Sequence, residues 1–256
     1  MIQAMIFDLD GTLVQTEKLK ALSYAKAAVA LRPELNEATV VEAFKEVVGL
    51  SRHTVARHLL ERFALETAAR RQMDAYAVET PWQAYIQIRL GIYDDMLSDP
   101  GVLVKNQWPH TIGLLKQAAK SCPKVGLATM SYCAQVQRVL KILQLEKTFD
   151  FVASRDDVEN GKPDPEIYLL VAHQLETTPA HCLVIEDSPT GVQAALAAGM
   201  ACIAVSTPFT QNALHASGLL EKRWIVDDPD TLLTVVDEMM AEKRKAEGSG
   251  EENDRV

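Results

Sequence analysis

The chain has 256 residues, of which 48% are hydrophobic and 24% are charged, the balance of an ordinary globular protein. This length accommodates one large domain with an insertion, or two small domains. The formal net charge of −9 argues against nucleic acid and against an anionic membrane surface as partners. No apolar run approaches the roughly 20 residues of a bilayer-spanning helix, so we expect no membrane partner.

The cysteines and the first residues bear on location. The cysteines form no C-x-x-C pair, and their spacing favours free thiols over a zinc site or a disulfide framework: Cys122, Cys133, Cys182 and Cys202. The start of the chain lacks a basic segment followed by an apolar stretch, which a secretory signal would show. We therefore expect a cytoplasmic protein, and we expect a monomer or a weak dimer.

Short apolar runs alternate with helical patterns along most of the chain. Continuously apolar runs are typical of parallel strands covered on both faces, which predicts strands at 4–7, 124–128, 149–153, 182–185, 201–205 and 224–226. Helical patterns lie between most of them, at 107–120, 132–144, 165–175 and 189–198. This alternation predicts an α/β fold with a Rossmann-like, doubly wound parallel sheet.

One long region breaks the alternation. It shows only helical periodicity, in segments at 17–30, 40–48, 52–63, 66–78 and 82–96. Such a block after the first strand predicts an all-helical cap domain at 17–97, hinged near 13–17 and 98–105 and able to act as a lid. The core domain is then 1–16 and 98–240. Residues 241–256 lack large apolar side chains until Val256, which predicts a frayed helix end and a disordered tail.

Chemically reactive side chains follow four of the predicted strands. The first strand continues into Asp8-Leu9-Asp10-Gly11-Thr12, and the second into Thr129-Met130-Ser131. The third is followed by Gly161-Lys162-Pro163, and the fourth by Glu186-Asp187-Ser188. The carboxyl ends of parallel strands meet at one edge of a sheet, so we expect two hydroxyls, a lysine and four carboxylates to line one crevice.

Four clustered carboxylates repel one another unless a cation neutralises them. Mg²⁺ suits such a site, because proteins hold it with one or two carboxylates together with substrate phosphate. The set therefore indicates phosphoryl transfer to a carboxylate, which needs a nucleophile, a neutralised phosphate and a proton donor. Two alternatives stay open: Asp8 and Asp10 could only cap a turn, and Thr129 and Ser131 could only cap the next helix.

The four motifs, taken in order, resemble those of the haloacid dehalogenase superfamily. They are most similar to its branch of β-phosphoglucomutase-like phosphatases, which carry a helical cap after the first strand. The resemblance runs from residue 2 to about 210 and includes Val184-Ile185-Glu186-Asp187-Ser188-Pro189-Thr190-Gly191. It implies a Mg²⁺-dependent phosphatase that hydrolyses a small phosphorylated metabolite, such as a sugar phosphate, through an aspartyl-phosphate.

The resemblance also implies a role for each catalytic residue. Asp8 would be the nucleophile, and Asp10 would protonate the leaving group and then activate water. Thr129 would hydrogen-bond to the transferring phosphoryl group, and Ser131 is a further substrate residue. Lys162 would neutralise the negative charge that the phosphate shares with Asp8.

The implied metal site uses four acidic residues. Asp8 would bind Mg²⁺ through its carboxylate and Asp10 through its backbone carbonyl. Asp187 would complete the site, and Glu186 would be either a direct ligand or a partner that orients the other groups.

Three basic residues of the predicted cap are candidates for substrate recognition. The segment Gly49-Leu50-Ser51-Arg52 resembles a cap loop that brings an arginine to a second anionic or polar group of the substrate. Arg89 falls near a second cap position that is often basic in the family. Lys20 stands where mutases and many phosphatases carry a histidine. A solvated role stays open for Arg52 and for Lys20.

Two other functions compete with a phosphatase. A phosphomutase of the β-phosphoglucomutase type would exclude water and need a bisphosphate activator, and the absence of a histidine at position 20 disfavours it. A non-catalytic phosphate-binding or regulatory protein is the third alternative. A dehalogenase is disfavoured, since that reaction needs neither Asp10 nor a metal ligand such as Asp187.

Overall fold

The computed structural model describes residues 1–48 and 50–253, and it divides into two compact units. The first unit comprises Met1–Gln15 and Asn106–Val256, and the second comprises Thr16–Lys105. Gly49 of the predicted cap loop and residues 254–256 of the predicted tail lie outside the described residues.

The second unit contains helices and turns and no strand among its described residues. Its elements are α1 (Thr16–Leu31), α2 (Glu37–Phe44), α3 (Arg52–Arg62), α4 (Glu66–Arg70), a 3-10 turn at Asp74–Tyr76, α5 (Pro81–Ser98) and α6 (Pro100–Lys105). Helix α1 packs against α2 and α5. The buried Tyr85 of α5 donates its hydroxyl to the backbone oxygen of Tyr24 in α1 at 2.8 Å. This agrees with the expected all-helical insertion.

The cap was predicted at 17–97, whereas the second unit begins at Thr16 and extends to Lys105. The segment Asp99-Pro100-Gly101 was expected to be a linker, but Pro100 begins α6. Proline fits the first turn of a helix, where its missing N–H costs nothing. Asp99 supports this start, since its Oδ1 accepts a hydrogen bond from the backbone N–H of Gly101 at 2.8 Å.

The first unit contains a parallel six-stranded sheet. Its strands are β1 (Ala4–Phe7), β2 (Lys124–Ala128), β3 (Phe151–Ala153), β4 (Cys182–Glu186), β5 (Ala201–Val205) and β6 (Ile225–Val226). Their order across the sheet is β3-β2-β1-β4-β5-β6. Phe7 of the central β1 pairs with Leu127 on one side and with Ile185 on the other. The predicted doubly wound α/β class is confirmed.

The described residues of this unit also form α7 (Pro109–Ser121), α8 (Cys133–Ile142), α9 (Glu166–Gln174), α10 (Pro189–Ala197), α11 (Gln211–Ser217) and α12 (Leu232–Asn253). Ser188 caps α10, since its Oγ accepts from the N–H of Gly191 at 3.1 Å. Side chains of α9 and α10 share one apolar cluster with the central strands, including Ile6, Val171 and Val192. The packed sheet and helices therefore hold the four motifs in place.

Helix α12 differs from the prediction of a frayed end and a disordered tail from residue 241, because it continues to Asn253. Residues 241–247 are alanine, glutamate, lysine and arginine, all strong helix formers. A long-range ion pair also connects this part of α12 to the segment before β6, since Arg223 Nη1 lies 2.7 Å from Glu242 Oε2.

No helix in the described part of the chain is both long enough and apolar enough to cross a membrane.

Candidate active site

Three strand ends bring the predicted site residues together. Asp8 directly follows β1 and donates its backbone N–H to the oxygen of Ile185 at 3.0 Å. Thr129 directly follows β2, and its N–H donates to Ala153 at 3.0 Å. Glu186 is the last residue of β4. Because β2, β1 and β4 are adjacent and parallel, their carboxyl ends meet at one edge of the sheet.

Lys162 lies in a buried ion-pair network with two of these carboxylates. Its Nζ donates to Asp8 Oδ1 at 2.7 Å, to Glu186 Oε1 at 2.6 Å and to the backbone oxygen of Ala128 at 3.0 Å. An ammonium group has three N–H donors, so all three are used. The side chains of Lys162 and Glu186 are only 5% and 1% exposed, so water screens this network weakly.

The pKa values of the two carboxylates that share Lys162 are shifted in opposite directions. Burial raises the pKa of Asp8 well above its usual value, and the charge of Lys162 offsets this only in part. Burial would also raise the pKa of Glu186, but Lys162 and other donors outweigh it and lower that pKa. Burial alone would lower the pKa of Lys162, yet both carboxylates raise it above its ordinary value, so its amine stays protonated.

Further hydrogen-bond donors explain why Glu186 is the better-stabilised anion. Tyr168 donates its hydroxyl to Oε1 at 2.8 Å. Oε2 accepts from the backbone N–H of Asp187 at 2.9 Å, and from the N–H and Oγ of Ser188, each at 3.1 Å. A Cβ at Gly191 would lie 1.8 Å from Oε1, so only glycine leaves room for this carboxylate.

The acidic cluster fits a divalent cation. Asp8 Oδ2 is buried and has no hydrogen-bond partner among the described residues. Carboxylate oxygens of Asp8, Glu186 and Asp187 lie within 4.8 Å of one another. Gly11 has a φ of +87°, and a Cβ there would lie 2.0 Å from Asp187 Oδ2, so glycine keeps this side of the cluster open. An all-oxygen, carboxylate-rich set with one unsatisfied oxygen suits Mg²⁺.

The carboxylate of Asp10 is held by two hydroxyl groups. Ser131 Oγ donates to Asp10 Oδ2 at 2.6 Å, and Thr129 Oγ1 donates to the same oxygen at 3.2 Å. Thr129 Oγ1 also accepts from the N–H of Ser131 at 3.1 Å. Both hydroxyls therefore orient Asp10, while the role of Thr129 toward phosphate stays a prediction.

Arg89, predicted as a substrate residue, lies in the second unit between two tyrosine rings. Its guanidinium carbon is 5.0 Å from the ring centroid of Tyr24 and 4.5 Å from that of Tyr93. The side chain is buried, and Nε has no hydrogen-bond partner within 1–48 and 50–253. Burial lowers the pKa of Arg89, although both tyrosines act in the opposite direction. Arg89 is thus a buried cation held mainly by aromatic faces.

The other two predicted cap residues lie near the same tyrosine. Arg52 is the first residue of α3 and is exposed. Lys20 of α1 donates to Glu17 Oε1 at 2.8 Å. Burial raises the pKa of Tyr24, whereas the charges of Arg89, Arg52 and Lys20 all lower it.

Tyr168 was not among the predicted site residues. This residue is fully buried on the first turn of α9, and its ring centroid lies 4.8 Å from Lys162 Nζ. The only available signal was its position six residues after Lys162, at the start of the helix that follows the lysine loop.

A family model described as haloacid dehalogenase-like hydrolase matches residues 5–205, a range that contains all four motifs. The chain belongs to the haloacid dehalogenase-like hydrolases. The resemblance on which the site assignments rest is therefore confirmed at the level of the family.

Characterised relatives of this haloacid dehalogenase-like hydrolase bear phosphatase names. It is 31% identical over 236 residues to a phosphoglycolate phosphatase of Salmonella paratyphi A, covering 91% of each chain. It is 29% identical over 200 residues to a phosphorylated carbohydrates phosphatase of Thermotoga maritima, covering 78% of this chain and 82% of that one. The predicted enzyme class, a phosphatase of this family, is confirmed.

Two further comparisons concern fold and length. A crystal structure of a HAD family hydrolase from Deinococcus radiodurans R1, with bound phosphate and sodium, has a TM-score of 0.69 at 22% identity and covers 93% of this chain and 96% of that one. At this identity the likeness shows the fold alone. The chain is also 30% identical to Protein SUPPRESSOR OF QUENCHING 1, chloroplastic, of Arabidopsis thaliana. That match covers 85% of this chain but only 19% of the Arabidopsis protein.

Proposed function

We propose that this hydrolase is a Mg²⁺-dependent phosphatase of a small, sugar phosphate-like metabolite, and that Asp8 carries the phosphoryl group as an aspartyl-phosphate. The state of Asp8 supports this most directly: Oδ1 is paired with Lys162, and Oδ2 has no partner within the described residues. A buried carboxylate with an unengaged oxygen is available as a nucleophile. The relatives named as phosphatases support the same class of reaction.

The metal would be held by the carboxylates of Asp8 and Asp187, together with the backbone carbonyl of Asp10. Glu186, whose two oxygens already accept hydrogen bonds, would orient the neighbouring groups. A bound Mg²⁺ would supply positive charge that offsets the charge of a phosphate beside Asp8. The raised pKa of Asp8 supports this need for added positive charge, since Lys162 alone does not offset its burial.

Two half-reactions follow from these roles. In the first, an oxygen of Asp8 attacks phosphorus, the bond from phosphorus to the leaving oxygen breaks, and Asp10 gives that oxygen a proton. In the second, Asp10 takes a proton from water while the water oxygen attacks phosphorus. The bond from phosphorus to Asp8 then breaks, and inorganic phosphate leaves.

Three other residues would support these steps. Lys162 would balance the negative charge on the phosphoryl oxygens, and Thr129 would donate a hydrogen bond to one of them. Ser131 would keep Asp10 in position through its hydrogen bond of 2.6 Å.

We also propose that the substrate carries a second anionic group, recognised by cations of the second unit. Arg89 supports this, because it is a buried cation with no carboxylate within ion-pair distance among the described residues. An arginine can bind a carboxylate or phosphate through two parallel hydrogen bonds. Arg52 and Lys20 would add positive charge to the same recognition surface.

A phosphate-release assay tests the proposal. The panel contains phosphoglycolate, sugar phosphates and p-nitrophenyl phosphate, each with Mg²⁺ and with EDTA, and Asp8→Asn is the control. Release that requires both Mg²⁺ and Asp8 is the expected result. Release that persists in EDTA, or in Asp8→Asn, would overturn the metal or the nucleophile assignment respectively. Silence across the panel with folded protein would favour the phosphomutase alternative.

A further inference from the structure

Tyr168 is an aromatic side chain that contacts both Lys162 and Glu186. Its hydroxyl donates to Glu186 Oε1 at 2.8 Å, the same oxygen that accepts from Lys162 at 2.6 Å. Its ring centroid lies 4.8 Å from Lys162 Nζ, within the range of a cation–π interaction. The hydroxyl of Tyr168 therefore holds the carboxylate of Glu186, and its ring face attracts the ammonium group of Lys162.

The ring offers Lys162 an attraction that uses none of its N–H donors. All three donors already point to Asp8, Glu186 and the backbone of Ala128. To hold a phosphoryl oxygen, the ammonium group must redirect one of these donors. An aromatic face 4.8 Å from the nitrogen stabilises the cation during this exchange, because the ring quadrupole does not depend on which donor is engaged.

The site around the ring is rigid. Tyr168 is fully buried on the first turn of α9, and it belongs to the apolar cluster formed with strands β1, β2 and β4. A buried side chain in such a cluster has few alternative rotamers.

We propose that Tyr168 is a positioning residue for Lys162, and that its aromatic face sets how well the lysine stabilises the transferring phosphoryl group. This inference rests on the proposed function. Tyr168 is fully buried, so it would act on turnover through Lys162 and not through contact with substrate.

Steady-state kinetics of the full chain with Mg²⁺ test this role. Tyr168→Leu removes the ring, and we expect kcat to fall by about tenfold and kcat/KM to fall at least as much, because Lys162 holds the phosphoryl group both in the substrate complex and in the transition state. Tyr168→Phe keeps the ring and loses only the hydroxyl, so it should retain most of kcat. The inhibition constant of inorganic phosphate should rise in Tyr168→Leu and stay close to wild type in Tyr168→Phe.

A matched control separates positioning from loss of stability. Leu175→Ala truncates another buried side chain of the same cluster, at the end of α9, without touching Lys162. Its melting temperature should fall, but its kcat and phosphate inhibition constant below that temperature should match wild type. If Tyr168→Leu does not fold, pentafluorophenylalanine in place of Tyr168 keeps the ring shape and reverses its quadrupole, and it should lower kcat relative to Tyr168→Phe.

The outcomes are distinct from failure of the proposed function. If wild type releases no phosphate, or Asp8→Asn remains active, the proposed function itself is wrong. If wild type is active through Asp8, a kcat of Tyr168→Leu within twofold of wild type would overturn the positioning role. An equal loss in Leu175→Ala would overturn it too, as would pentafluorophenylalanine and Tyr168→Phe variants of equal kcat.

Discussion

Replacing Lys162 by methionine removes the only cation that the described residues place within ion-pair distance of Asp8 and Glu186. Three hydrogen bonds of 2.6 to 3.0 Å disappear, and two nearly buried carboxylates are left facing each other. Removing one partner of a buried ion pair typically costs about 3–5 kcal/mol, because the remaining charge stays desolvated. We therefore expect Lys162→Met to lower the free energy of unfolding of the first unit by about 3–5 kcal/mol in EDTA.

Urea unfolding followed by tryptophan fluorescence measures this effect. Two of the three tryptophans, Trp108 and Trp224, belong to the first unit. A Trp82→Phe background therefore restricts the signal to that unit. The matched control is Lys116→Met, which removes an exposed lysine of α7 and should change stability by less than about 0.5 kcal/mol.

Mg²⁺ provides a second arm of the same experiment. A metal bound to the acidic cluster would replace part of the missing positive charge, so the deficit of Lys162→Met should be smaller in Mg²⁺ than in EDTA. A loss below about 1 kcal/mol in EDTA would refute the argument from buried charge. An equal deficit with and without Mg²⁺ would refute the placement of the metal in this cluster.

Three further predictions concern single side chains. Asp8→Asn should abolish turnover yet raise the melting temperature in EDTA. Burial raises the folded-state pKa of Asp8, so the contribution of this group to stability is present at low pH and is lost as pH rises through that pKa. The difference in melting temperature between Asp8→Asn and wild type should therefore widen toward neutral pH. Ser131→Ala should lower kcat about tenfold with little change in KM, since a hydrogen bond to charged Asp10 contributes about 1.5 kcal/mol. Arg89→Met should raise KM about tenfold for substrates with a second anionic group, and leave kcat unchanged.

Each of these predictions has its own control. Asp237→Asn removes an exposed carboxylate of α12 and should shift neither turnover nor the pH dependence of melting. Ser131→Thr keeps a hydroxyl and should retain more activity than Ser131→Ala; equal activity in the two would contradict the role of the hydrogen bond. For Arg89→Met, p-nitrophenyl phosphate is the control substrate, and a KM that rises equally for it would show that Arg89 does not recognise a second group.

The sheet was predictable because its strands are continuously apolar, and β1, β2 and β5 have the predicted bounds. β3 begins two residues later than predicted, at Phe151. Asp150 explains the difference: its Oδ2 accepts from the N–H of Val125 at 2.8 Å, so a side chain takes the place of a ladder hydrogen bond. The apolar pattern of the sequence does not show where a side-chain hydrogen bond replaces one between backbones.

The site was predictable only in its membership. Motif order placed Asp8, Lys162 and Glu186 at one sheet edge, because parallel strand ends must meet there. The family resemblance predicted Lys162 beside Asp8, but nothing in the sequence showed that Glu186 binds the same lysine or that Tyr168 lies beside it. Ser131 shows the same limit, because its donation to Asp10 depends on tertiary placement and not on spacing along the chain.

The central position of β1 has a consequence for synthesis on the ribosome. The strand that leads to Asp8 is made before β2 and β4, the two strands with which it pairs. The last residue of β4 is Glu186. About 180 residues must follow β1, which at roughly 5–20 residues per second takes on the order of 10–40 s. Before β2 is made, this short apolar strand has neither neighbour, and before β4 emerges it lacks one of the two, so the nascent chain is prone to aggregation until β4 is complete. The catalytic edge is then assembled in a single late step.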